Sequence, residues 1–324
     1  MAATKTIMFP CLVELNIWDC PMLKSVPLTG QCSSLEKLSI FDCKNLSKIG
    51  DGLSTSTCLK ELALKNCPNL SWIPNLEGFS SLQNLSIDSC NELEALPITG
   101  RCSSLEKLSI LECKTLSKIG DRLFTYTCLK ELNLEDCPNL SSIPNLKGFS
   151  CLQNLSIHTC NGLEVLPIFG ACSSLEKLNI FGCEKLSKIG DGLSTSYLQN
   201  ISIDSCNGLE VLPIIGRCSS LEKLSISDCK KLSKIGDGLS TSTCLRELGL
   251  KNCPNLSWIP NLEGFSSLQN LSIDSCNELE VLPITGRCSS LEKLSIFNCE
   301  KLRKIGDKLS TFICLKELGL KNCP

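Results

Sequence analysis

A single histidine, His158, is the whole supply of imidazole in a chain of 324 residues. Imidazole is the side chain that titrates between pH 5 and 8 unaided, so proton-transfer chemistry has one candidate, and nothing in the sequence marks out a triad around it. His158 follows Ile157, an isoleucine in core register, which places it on the exposed side of a strand. The abundant serines fall in "CSS" and "LST" turns, where hydroxyls cap backbone groups. An enzyme is the least favoured class. Aromatic residues are only 5% of the chain, and 32 basic residues nearly balance 34 acidic ones. That balance excludes the basic stripe of a nucleic-acid binder, and no polybasic run marks a membrane surface. The opening "MAATKTIMFPCLVEL" has a short apolar run, broken by Pro10 and lacking a small-residue cleavage site. Neither a signal peptide nor a transmembrane helix is expected. No Gly-x-x-x-x-Gly-Lys-Ser/Thr stretch is present to cradle a phosphate, and no cofactor is expected.

Cysteine, by contrast, is plentiful: there are 25. The odd count, the long chain and the missing signal point to reduced thiols in a cytoplasmic or nuclear protein rather than a secreted disulfide framework. No Cys-x-x-Cys occurs, so the short spacing of a structural zinc site is absent. Asn-x-Ser sequons argue for secretion at first sight, but those at Asn84, Asn154, Asn200 and Asn270 fall inside expected strands, where a glycan would obstruct the sheet. Chance sequons are the better reading.

The apolar set is mainly leucine and isoleucine, and it repeats. Units start at Leu12, Leu35, Leu59, Leu82, Leu105, Leu129, Leu152, Leu175, Leu198, Leu221, Leu245, Leu268, Leu291 and Leu315, each 23 or 24 residues after the last. Within a unit the pattern is LxxLxIxxCxxLxxIP, with glycine for proline in every "KIG" unit. This is the spacing of a leucine-rich-repeat solenoid. Leu38 and Ile40 alternate with Ser39 and Phe41, the period of a strand with one buried face. About eighteen residues separate successive strands, which excludes hairpins and makes each unit one coil of a right-handed spiral. Leu46, Ile49 and Leu53 turn inward from the returning half. Pro74, Pro97 and Pro144 rule out a long helix there, so irregular or 3₁₀ turns are expected. The fold class is therefore an α/β-type repeat solenoid, mostly β: an arc with a parallel sheet on its concave face and turns, with Asp51 and Asp121, on its convex face. Residues 1–11 read as the tail of a preceding coil, because Phe9 precedes Leu12 as Phe79 precedes Leu82. Residues 12–324 read as a single solenoid of about thirteen full units plus a cut-short fourteenth.

A longer period overlies the short one. "LEK", "LKE" and "LQN" units rotate in order over 70 residues, except that "YLQNISIDSC" follows "IGDGLSTS" directly and skips one unit. Glu36 then faces Lys60 and Lys37 faces Glu61. The same holds for Glu106/Lys130, Lys107/Glu131, Glu222/Arg246 and Lys223/Glu247. Cross-strand pairing explains these charges better than a charged ligand groove.

Fourteen cysteines, from Cys20 and Cys43 to Cys323, follow the strand of each unit. Eleven more lie at the junction before the next, such as Cys58 and Cys102. In-register side chains point the same way, so both sets read as small buried thiols filling coil corners and donating weakly to carbonyls.

The pattern LxxLxIxxCxxLxxIP, as in "LKELALKNCPNLSWIP", and the opening "MFPCLVELNIWDCPMLKSVP" resemble the leucine-rich repeat region of plant intracellular nucleotide-binding disease-resistance receptors, over essentially the whole chain. Extracellular plant receptors of this repeat class usually carry asparagine where Cys43 stands. The resemblance implies a role in recognising pathogen effectors or restraining an attached nucleotide switch, the nucleotide-binding module being supplied by a longer parent chain.

One strand position varies while its frame stays fixed: Trp18, Phe41, Lys65, Asp88, Leu111, Glu135, His158, Phe181, Asp204, Ser227, Lys251, Asp274, Phe297, Lys321. Drift at an unconstrained surface is one reading of this column. A partner-binding surface on the concave face is the other, and exposed tryptophan and phenylalanine favour it. Lys65 with Asp88 and Lys251 with Asp274 are expected to pair. A protein partner is thus the expected ligand, in an immune receptor or in a scaffold or adaptor outside immunity. End-to-end self-association through the last strand is a third possibility.

Overall fold

The computed structural model describes residues 9–26, 28, 32–50, 53, 56–97, 103–120, 128–143, 146, 149–168, 172–190, 193, 197–262, 264–284, 288–306 and 312–324. Asp51, Cys102, Asp121 and Pro144 lie outside them. The chain divides into two compact units, Met1–Leu152 and Gln153–Pro324.

Each repeat begins with a five-residue strand. The first unit holds six, from Glu14–Trp18 to Glu131–Glu135. The second holds eight, from Asn154–His158 to Glu317–Lys321. Within each unit the strands neighbour one another in chain order, parallel and in register. In the first, Leu38 lies opposite Leu62 and Ile40 opposite Leu64. In the second, Leu178 lies opposite Ile201 and Ile180 opposite Ile203. A one-residue slip would turn every leucine to solvent. The alternation of the sequence therefore sets the register, and burial holds it. Leu35, Leu38, Ile40, Cys43, Leu46, Ile49 and Leu53 are all fully buried, and each such aliphatic side chain contributes about 1.5–3 kcal/mol. The protein is a mostly β, parallel leucine-rich-repeat solenoid.

The returning half has the turns expected of it and one feature more. No α-helix occurs among the described residues; the regular turns are 3₁₀, at Leu76–Gly78 and Asp237–Thr241. Coils of 23 or 24 residues leave too few positions for a helix, and Pro74 and Pro97 withhold backbone donors. In place of irregular turns alone there is also a second ladder, with two-residue strands pairing as Ser25–Val26 with Lys48–Ile49, Ala95–Leu96 with Lys118–Ile119 and Val211–Leu212 with Lys234–Ile235. This ladder explains the "KIG" glycines. A Cβ on Gly236 would sit 2.3 Å from the carbonyl oxygen and 2.5 Å from the nitrogen of Ile214 in the preceding coil. No side chain fits between the two backbones.

A further core column stands three residues before each unit. Phe79, Phe149 and Phe265 occupy it in some coils, Cys32, Cys172, Cys218 and Cys288 in others, and Ser56 and Ser242 in two more. All of these are buried. The junction thiols therefore split: those in this column are core, whereas Cys11, Cys58, Cys128, Cys151, Cys244 and Cys314, one residue before the leucine, are exposed. The expectation that all junction cysteines are buried is corrected, because a shift of two positions moves the side chain out of the coil. Thiol reagents are accordingly expected to modify those six within minutes and the fully buried thiols, such as Cys43 and Cys172, only as fast as the protein opens; uniform, rapid reaction of both sets would contradict the buried columns.

Candidate functional site

Each strand presents three side chains away from the core: a charged residue or asparagine, a small residue, and the varied position. Lys37, Ser39 and Phe41 are one such row. The first column and the residue before it pair much of their charge across strands. Lys37 meets Glu61 at 3.2 Å, Lys60 meets Glu36 at 2.9 Å, Lys107 meets Glu131 at 2.8 Å and Lys130 meets Glu106 at 2.9 Å. In the second unit Lys223 meets Glu247 at 2.7 Å, and Arg246 reaches Glu222 only at 4.0 Å. Solvent-exposed pairs of this kind add little stability, about 0–1 kcal/mol each. Their main effect is to leave the varied column as the distinctive part of the face.

That column lies on the outer side throughout. Trp18 is 62% exposed and stacks on Phe41, with ring centroids 6.1 Å apart and planes 17° from parallel. Phe181 is 46% exposed, and His158 meets it edge-on at 6.2 Å. Lys65 pairs with Asp88 at 2.9 Å. The hydrogen bond and charge of that carboxylate hold the Lys65 ammonium above its usual range. Lys251 and Asp274 stand in register but form no such pair: Asp274 Oδ1 instead accepts from Ser275 Oγ and from Asn298 Nδ2, both at 2.9 Å. The expected Lys251–Asp274 pair is corrected on that ground. Glu135 and Lys321 are exposed; Leu111, Asp204, Ser227 and Phe297 are half-buried. Ser156 Oγ lies 3.3 Å from His158 Nε2, which orients the imidazole on the strand.

Phe41 is half-buried and so less exposed than Trp18. Ser39 beside it is only 3% exposed, and the same holds for Ser295 beside Phe297 at 8%.

The residue after the varied position is constrained for another reason. It adopts a left-handed backbone in every coil, for example Asp42 at φ 58°, Asn66 at φ 50° and Thr159 at φ 50°, with Gly182 at φ 65°. Its N–H donates to the varied residue of the next coil, as Asp42 does to the Lys65 carbonyl at 3.0 Å, and this corner ends the strand. Asp, Asn, Ser and Gly adopt such a corner readily; a β-branched residue such as Thr159 adopts it at a cost. Thr159→Asn is therefore expected to raise stability by about 0.5–1 kcal/mol, read as a higher denaturant midpoint. An unchanged or lower midpoint would mean the threonine is not strained.

The next residue is the column cysteine. Cys43 Sγ donates to the Phe41 carbonyl at 3.4 Å, and Cys67 Sγ to Lys65 at 3.4 Å. Burial pushes the Cys67 thiol up to about 11 and, most strongly among its causes, the Cys113 thiol up to about 12. Raised in this way, the Cys67 and Cys113 thiols are protonated at neutral pH. Among the described residues no cluster of His, Cys, Asp or Glu forms a metal site, and no helix is long and apolar enough to cross a membrane.

A second varied column, missed in the sequence, runs along the short ladder: Lys48, Trp72, Val165, Lys188, Val211, Trp258 and Val281 are exposed, and Lys234 half-buried, beside buried Ile or Leu. Its signal was the residue before the isoleucine in "SWIP" and "SKIG".

No family model matches the chain, and no curated protein matches it. Solved structures do. The leucine-rich repeat domain of the type III effector XopL is 18% identical over 91% of this chain and 76% of its own, with a TM-score of 0.36. The functional domain of InlJ from Listeria monocytogenes, which includes a cysteine ladder, is 17% identical over 95% and 67%, with a TM-score of 0.38. The internalin InlF from Listeria monocytogenes is 15% identical over 95% and 86%, with a TM-score of 0.36. At these identities the likeness concerns the repeat fold alone.

Proposed function

We propose that the outer face of the strand sheet binds a protein partner through the varied column, with the surrounding frame serving the fold. The observation that carries this reading is the solvent-facing Trp18–Phe41 stack, since large exposed aromatic side chains anchor interfaces. The chain acts by binding rather than catalysis. Its closest functional setting is the recognition or restraining part of a plant intracellular immune receptor, in the cytoplasm or nucleus. The repeat motif, with Cys43 where extracellular relatives carry asparagine, supports this setting; a scaffold or adaptor outside immunity would use the same face. Self-association is a second mode, favoured by Leu318 and Leu320, half exposed on the strand Glu317–Lys321. A second copy or a further coil of a longer chain would cover them equally.

Crosslinking tests the face. A photoreactive phenylalanine analogue in place of Phe181 should yield a discrete adduct with the partner, and the same analogue in place of Val165, on the short ladder, should not. Adducts from Val165 alone would move the interface off the sheet.

A further inference from the structure

The short ladder is interrupted in the second unit. Lys234 bridges to Trp258, and Val281 pairs with Lys304, but no bridge joins Trp258 to Val281 among the described residues. Between them opens a groove of about 690 Å³, lined by Trp258, Ile259, Asn261, Glu280, Val281 and Lys304 among others. Volumes of this size suit small ligands or short peptide segments. An equivalent groove of about 470 Å³ lies between Lys188 and Val211, with Glu210 in the place of Glu280 and no tryptophan. The same seam thus opens before two "VLP" strands of the second unit, and Trp258 distinguishes one copy from the other.

The charges in the groove select its occupant. Trp258 is 38% exposed, and the Lys234 ammonium from the preceding coil sits 4.4 Å from its ring centroid. Lys234 does not line the groove. A cation already held against the ring weakens its attraction for a second one, so the rest of the indole suits an aliphatic or pyrrolidine surface. Val281, 46% exposed, continues that apolar wall. Glu278 is committed to Lys301 at 2.7 Å, whereas Glu280 is exposed and makes no ion pair within 4.0 Å among the described residues. An incoming cation therefore goes to Glu280 rather than to the ring.

We propose that this groove binds an extended peptide segment of a partner protein, with an apolar residue laid on Trp258 and Val281 and an arginine or lysine beside it paired to Glu280. The site is separate from the sheet face, because its residues belong to the returning half of the coil.

The test uses the full chain and a terminally blocked peptide of sequence Pro-Leu-Pro-Arg-Pro, titrated by calorimetry, with the glutamate-for-arginine peptide as control. Binding in the micromolar to millimolar range is expected. Glu280→Gln should weaken it at least threefold and Trp258→Ala at least fivefold, and the glutamate peptide should not bind. Glu280→Gln alters only an exposed carboxylate, so its effect stands even if Trp258→Ala disturbs the coil. Glu210→Gln, in the groove without tryptophan, should change nothing. No binding at millimolar peptide, equal binding of both peptides, or indifference to Glu280→Gln would each overturn the proposal. Substituting Phe181 on the sheet face should leave this binding alone, which separates its failure from that of the sheet-face reading.

Discussion

Phe265→Ala is expected to destabilise the second unit by about 3–5 kcal/mol, the usual cost of emptying a large, fully enclosed aromatic site. Phe265 is fully buried and among the largest such side chains in the protein. It stands at a coil corner, where its N–H donates to the Leu262 carbonyl at 3.1 Å and its carbonyl accepts from Leu268 at 3.2 Å. Those bonds hold the corner in place, so the walls cannot close over the space. Cys288→Ala, one coil further in the same column, removes a single sulfur and should cost only about 1 kcal/mol, near the centre of the range for point substitutions. Urea unfolding of both variants, with unchanged m-values, measures the contrast. A loss below about 1 kcal/mol for Phe265→Ala would show that the coils slide to refill the column, contrary to the rigid register.

This column was only half legible in the sequence. Phe9, Phe79 and Phe149 stand out at one spacing, but Cys32 and Ser242 at the same spacing do not look like members of an apolar set. They belong by position rather than by polarity, since phenylalanine, cysteine and serine are all buried at the same place in the coil. The strands and their register were legible throughout, since period-two alternation and the Glu-Lys/Lys-Glu order both survive translation into distances, as at Lys107–Glu131. The left-handed corner was hidden in what looked like free variation. "FD", "KN", "DS" and "FG" read as two changing residues, yet the first faces solvent and the second must accept positive φ. Only the first is open to selection by a partner. The short ladder and its groove escaped because two-residue strands have no period, and backbone proximity such as that at Gly236 leaves a glycine but no pattern.

On the sheet face, the double substitution Trp18→Ser, Phe41→Ser is expected to weaken a protein partner by roughly ten- to a hundredfold or more, since burying one such ring contributes about 1.5–3 kcal/mol. The two rings differ in what they do for the free protein. Trp18 is 62% exposed, so Trp18→Ser alone should leave stability within about 0.5 kcal/mol, as surface changes do. Phe41 is half-buried, on the same strand as Ser39, which is 3% exposed. Phe41→Ser should therefore cost about 1 kcal/mol of stability as well as affinity. Each ring is stacked on the other at 6.1 Å, so the single effects on binding should fall short of adding to the double effect, or exceed it, by a measurable coupling. Val165→Ser, exposed on the short ladder of the other unit, is the control and should leave affinity unchanged. Affinity and stability must be measured on the same samples, because only affinity separates recognition from drift. If the double variant binds as tightly as the parent while Val165→Ser does not, the varied column is drift and the interface lies along the returning half of the coils.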